Sequence, residues 1–257
     1  MSKKDLDLKA TVAYAKEAYG DAQTNTDSKV FTHCWSVARL AEQIAHKFFS
    51  DIRADILPQD SPDIIAAIVH SSLLHEVINF GRKTFENVAE VANVQVASMV
   101  SALSRDYRLV ETKRDLEYRG RLSQSAISTH IVAVAEVICS AKEVIDALNA
   151  NGLQQPAKTR KTLAQLDADL LVVHTAARYY VLRMYVHAAR NLISDANQLI
   201  KKLKTDAKAA KSLDRLTSNV AARLAAKRSV ENFEENDYPA KEEKKRGKVR
   251  AAKNGVD

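Results

Sequence analysis

Six glycines and four prolines are spread through 257 residues, and this scarcity of chain-turning residues limits the fold more than any other feature. A chain with so few breaks runs in long helices joined by short loops. The apolar spacing agrees. Val37, Leu40, Ala41, Ile44 and Phe48 fall on one face of a helix over 30–49, the three-to-four-residue recurrence of a core-facing helix. Alternating β-branched segments are scarce, so the expected fold class is all-α. At 46% hydrophobic residues the chain has enough apolar surface to bury a substantial core.

Further helices are expected over 6–19, from Pro62 to about Ile78, over 83–92, 93–103 and 125–149, over 162–204 as one helix or two, and over 207–229. The polar run 20–28 reads as a loop. The stretch 57–63 reads as a turn and N-cap, with Pro62 suited to a first helical position. Residues 106–124 are charged and give no clear period. From Glu231 onward large apolar residues are few and charges many, the composition of a disordered tail.

The net charge of +7 favours anionic partners such as nucleotides. The excess lies toward the C-terminal half, so it need not describe a site. Basic residues in the tail are interspersed with Glu242 and Glu243, and no aromatic follows Tyr238, which supports nucleic-acid recognition only weakly. No apolar run reaches membrane-spanning length, and the first residues lack the apolar core of a secretory signal. Two cysteines, Cys34 and Cys139, are too few for a disulfide framework, which makes a reducing cytoplasm the default expectation. The sequence leaves the oligomeric state open, an oligomer included.

Four ionisable residues stand out inside apolar helical segments: His33, the adjacent His75 and Glu76, and Glu136 between Val134, Ala135, Val137 and Ile138. A carboxylate on such a face is costly unless it is paired or bound to a cation. Imidazole with carboxylate suits Mn²⁺, Fe²⁺ or Zn²⁺, and a set of two histidines and two carboxylates leans toward Mn²⁺. Simpler readings stand beside this one. Glu136 could reach solvent or pair with Lys142 or Arg121, and His46, His70, His130, His174 and His187 read as ordinary core or edge histidines.

The phrases around these residues resemble the HD-domain (p)ppGpp hydrolases of the RelA/SpoT and small alarmone hydrolase family. FTHCWSVA around His33 resembles the family's first-histidine phrase. Ser72 to Gly81 resembles its histidine-aspartate phrase, and the stretch opening at Thr84-Phe85-Glu86 and closing at Leu103-Ser104 resembles the segment that follows. Ala133 to Ser140 resembles the phrase with the last ligand. The resemblance spans about residues 11–148. It implies an HD-type helical bundle over 5–150, leaving 151–230 as a helical extension and 231–257 as the charged tail.

The resemblance also implies a divalent metal, Mn²⁺ above all, on His33, His75, Glu76 and Glu136, and a guanosine-alarmone-type nucleotide as substrate. The chain departs from the pattern in several places. Glutamate replaces aspartate at Glu76 and Glu136, moving each carboxylate outward by roughly an ångström. The acid pair that prepares water in the family falls at Asn79 and Phe80, neither of which accepts a proton. The arginine motif before the first histidine falls at Ala22-Gln23-Thr24-Asn25. Ser140 stands at the family's asparagine. Replacement basic groups are expected from Arg105, Arg108, Lys113, Arg114, Arg119 or Arg121. The expected site therefore places Asn79 and Arg121 at the chemistry, and Arg105, Arg119 and Ser140 at the substrate. Three readings follow: a metal-dependent phosphohydrolase of the (p)ppGpp-hydrolase type, a catalytically silent HD-fold protein that binds a nucleotide or a protein, or a different HD enzyme acting on another nucleotide.

Overall fold

The computed structural model describes residues 6–24, 26, 28–51, 61–176 and 179–237. Among these are nine α-helices and no strand beyond an isolated bridge between Gln23 and Lys29. The all-α expectation holds. No described helix is long and apolar enough to cross a membrane.

Helix α1 (Leu8–Tyr19) starts on Asp7, whose carboxylate accepts from the backbone N–H groups of Lys9 and Ala10, satisfying donors a helix start leaves free. It stops at Gly20, whose φ of 49° is a left-handed conformation that glycine adopts at little cost. Helix α2 (Val30–Asp51) buries Val30, Cys34, Val37, Ala41, Ile44 and Phe48 along one face, with His33 on the same face. Helix α3 (Ser61–Leu74) packs against α2, and α7 (Ile127–Asn151) packs against both. Through 128–135 α7 is buried on every side, as befits the central element of a bundle.

Between α3 and α7 lie α4 (Phe85–Val91), α5 (Val94–Leu103) and α6 (Glu111–Ser123). Thr84 and Asn87 form a reciprocal capping box at α4, and Asn93 caps α5 by accepting from the N–H of Val96. Beyond Gly152 come α8 (Pro156–Ala176) and α9 (Tyr180–Asp237). The chain divides into two compact units, at Lys201 and Lys202. In the first, α8 packs on α6 and α7 and buries Leu163, Leu166, Leu170 and Val173. In the second, Leu213, Leu216 and Val220 are exposed.

Three boundaries differ from expectation. Helix α3 ends at Leu74, and His75–Phe80 is a turn, not the last turn of a helix reaching Ile78. No separate helix covers 207–229, because those residues belong to α9. Residues 231–237, read as the start of the disordered tail, are helical too, and 238–257 lie outside the described residues. The expected turn at 57–63 falls largely outside them as well, with Ser61 opening α3.

Candidate metal centre

Three elements that pack on one another deliver the centre. His33 comes from the first turn of α2, His75 and Glu76 from the turn after α3, and Glu136 from the middle of α7. One ligand atom each from His33, His75 and Glu136 lies within 4.8 Å of the others. Glu136 is the hinge of the group. Its Oε2 is 2.7 Å from His33 Nε2 and 3.1 Å from His75 Nε2, and its Oε1 accepts from the Ser140 hydroxyl at 2.7 Å.

Both imidazoles are oriented from behind. His75 Nδ1 is 2.6 Å from the Ser72 carbonyl oxygen, which can only accept, so Nδ1 carries a proton. In the neutral ring Nε2 then presents a lone pair toward Glu136. That Nε2 is buried and has no hydrogen-bond partner. His33 Nδ1 is 2.8 Å from Glu143 Oε1, and Glu143 Oε2 accepts from the Thr26 hydroxyl at 2.9 Å. A carboxylate behind a ligating histidine fixes its tautomer and raises its basicity.

Two imidazole lone pairs aimed at one carboxylate oxygen repel unless protons or a cation lie between them. The electrostatics express the same conflict. Burial opposes charge on His33, yet Glu136 and Glu143 outweigh it and hold the imidazole well above its ordinary 6.5. Burial likewise opposes charge on His75 and is outweighed by Cys34 and Glu136. Burial pushes the Glu136 carboxyl up, but the two histidines pull it well below its ordinary 4.5. The donor set therefore fits a divalent cation, with imidazole and carboxylate ligands suited to a transition metal.

Glu76 lies beside this trio but is not one of the three. Its Oε1 is 4.0 Å from His75 Nε2, and its Oε2 accepts from the Asn79 amide at 2.8 Å. Burial raises its pKa, partly offset by His75. Asn79 thus holds Glu76, while its own Oδ1 is buried without a partner. Phe80 stands on the rim of the cavity, 41% exposed.

The cavity in front of the trio is lined by residues from α2, the turn after α3, α7 and α8, and from the loops around Thr26 and Arg105. Of the expected substrate residues, Arg105 and Ser140 line it. Arg105 stacks 3.9 Å over the Tyr118 ring and is ion-paired to Asp115 and Asp169. Arg119 and Arg121 are not among the lining residues: Arg119 pairs with Asp169 at 2.9 Å, and Arg121 donates to the Ser104 carbonyl. Arg108 bonds Asp106. Arg114 lies over the Tyr107 ring.

Glu136 pairs with the two histidines, not with Lys142 or Arg121 as the simpler reading had it. Among the remaining histidines, His70 and His130 are buried and bonded, to Thr11 and to the Leu122 carbonyl, whereas His46 and His187 are exposed and His174 is half-buried. Sequence reasoning missed Glu143, Thr26 and Asp169. Glu143 had a signal, two helical turns from Glu136 on the same face; the other two had none.

No family model matches the chain, and no curated protein matches it in sequence. A solved structure does share its fold. It is a metazoan ortholog of SpoT that hydrolyses ppGpp and plays a role in starvation responses, similar with a TM-score of 0.52 at 12% identity over 72% of this chain and 96% of that one. At that identity the likeness defines the fold, and the bundle expected from the sequence is the one observed.

Proposed function

We propose that this chain is a metal-dependent phosphohydrolase acting on a phosphorylated nucleotide, with His33, His75 and Glu136 holding Mn²⁺ and Glu76 completing the set. The observation that carries this reading is the convergence of the buried Nε2 atoms of His75 and His33 on one oxygen of Glu136, at 3.1 and 2.7 Å, with no hydrogen bond formed by His75 Nε2. The fold shared with a ppGpp hydrolase supports it and makes guanosine alarmones the first substrates to try. His33, His75 and Glu136 would hold a divalent cation that would supply Lewis acidity to the hydrolysis.

The protein's own groups do the rest. Glu143 and the Ser72 carbonyl hold the imidazoles in register, and Ser140 fixes Glu136. In the hydrolysis, a water oxygen bonds to phosphorus, the phosphorus–oxygen ester bond breaks, and the proton that the water gives up ends on the leaving oxygen. Asn79 and Phe80 offer no proton acceptor, so turnover is slow compared with a site bearing an acid pair. Asn79 instead positions Glu76. The silent alternative draws support from one observation, the part-exposed Phe80 ring on the cavity rim.

The deciding experiment combines elemental analysis of protein purified without chelator, Mn²⁺ re-addition, and assay of phosphate and pyrophosphate release from guanosine alarmones and related nucleotides. Bound metal and a release that vanishes in His75→Ala, with helicity retained, are expected. Neither metal nor release would mean the silent binding protein.

A further inference from the structure

Asp169 narrows the substrate of this site, an inference that rests on the phosphohydrolase reading. The chain is basic, at +7, but the cavity is acidic. Among the described residues its lining carries four carboxylates, Glu76, Glu136, Glu143 and Asp169, against one guanidinium, that of Arg105. Even a divalent cation between neutral imidazoles leaves these groups with more negative than positive charge.

The single guanidinium is also already engaged. Arg105 Nη1 is 2.9 Å from Asp115 Oδ1, Nη2 bonds Asp169 Oδ2, and the Tyr118 ring covers one face. Asp169 is held in turn by Arg119 Nε at 2.9 Å on its other oxygen. The Asp169 side chain is only 7% exposed, and the pairing consists of charge-assisted hydrogen bonds in a desolvated setting. An incoming phosphate oxygen would have to displace a carboxylate that has already lost its water. It would leave that carboxylate buried with half its partners, and removing one partner from a buried ion pair is strongly unfavourable.

We propose that the cavity is built for a phosphomonoester, and that Asp169 is a specificity-determining residue that discriminates against pyrophosphate-bearing nucleotides by keeping Arg105 from the ligand. Each added phosphate brings negative charge into an acidic cavity whose described lining offers no free arginine to meet it. Like-charge juxtaposition of this kind is how a site rejects a competitor without touching its preferred ligand.

The test is equilibrium binding of guanosine 3′-monophosphate and guanosine 3′-diphosphate to the full chain, with free Mn²⁺ buffered at a constant level. The wild type should bind the monophosphate at least as tightly as the diphosphate. Asp169→Asn keeps the side-chain volume, removes the competing charge, and should shift the ratio toward the diphosphate by about tenfold or more, the effect of one charge-assisted hydrogen bond. Glu111→Gln, which removes a carboxylate that pairs with Lys161 away from the cavity lining, should leave the ratio unchanged, so that a shift in Asp169→Asn is not a general effect of lost negative charge. A wild type that prefers the diphosphate, or an unchanged ratio in Asp169→Asn, overturns the inference and leaves the phosphohydrolase reading intact. Binding of neither nucleotide overturns both. Should Asp169→Asn not fold, the wild-type ratio alone decides.

Discussion

Glu143 touches His33 on the side facing away from the other two ligand atoms, so its effect on a bound ion passes through the imidazole ring. Glu143→Ala frees that ring to rotate and leaves the Thr26 hydroxyl without its acceptor. The expected result is roughly a 10- to 100-fold loss of metal affinity, read by competition against a coloured chelator, with the helical signal unchanged. Glu143→Gln, whose amide oxygen still accepts from Nδ1, should recover part of the loss. Equal affinity in all three proteins would remove Glu143 from the centre. Glu136, one of the proposed ligands, stood out in the sequence because an ionisable group amid Val134, Ala135 and Val137 needs a reason to be there. Asp169 was not legible. It lies among Leu166, Leu170 and Val173 on an amphipathic helix, and its partners Arg105 and Arg119 are 64 and 50 residues away. Only packing of α8 on α6 brings them together.

The turn after α3 shows what pattern reading misses at the level of an element. Val77 and Ile78 continue the apolar run, so periodicity extends the helix. The chain instead leaves the helix after Leu74: the Val77 N–H bonds the Leu74 carbonyl, Phe80 N–H bonds Glu76, and His75 Nδ1 reaches the Ser72 carbonyl. The His75 contact is a side-chain-to-backbone bond, of the sort that competes locally with the helical ladder. The turn closes at Gly81, where an added Cβ would meet the Val77 carbonyl oxygen at 2.6 Å. Gly81→Ala must therefore push its new methyl group against a backbone oxygen, at a cost of about 1–3 kcal/mol in chemical denaturation. Metal affinity should fall with it, since the same turn carries His75 and Glu76. A neutral effect on both would show that the turn is more pliant than its contacts imply. The fold class was, by contrast, readable throughout, because long amphipathic helices with few breakers leave little else to build, although the charged α6 showed no clear period and α9 was read as separate pieces.

For the molecule as a whole, the centre ties stability to pH, with opposite signs in the metal-free and metal-bound protein. Stripped of metal, His33 and His75 have raised pKa values, so their contribution is full below about 6.5 and is lost as pH rises through the raised values. Glu136, held low, contributes above about 4.5 and loses that contribution as pH falls through its lowered value. Chelator-treated protein should thus melt highest between about pH 4.5 and 6.5 and lose Tm above it. Metal binding requires neutral imidazoles, so affinity climbs over the same upper range, and the gap in Tm between loaded and stripped protein should widen as pH increases. A gap that narrows would mean that the histidines do not bind the ion.

The contribution of α8 changes what counts as the working part of this chain. Judged by motif alone, everything needed lies before residue 151. Yet Thr162, Leu166, Asp169 and Val173 form one side of the cavity. A fragment cut after α7 would keep every proposed ligand, lose a wall, expose the apolar faces of α6 and α7, and leave Arg105 with Asp115 as its remaining ion-pair partner. Such a fragment could retain its metal while changing which anions it accepts, so selectivity measured on it would describe a different molecule.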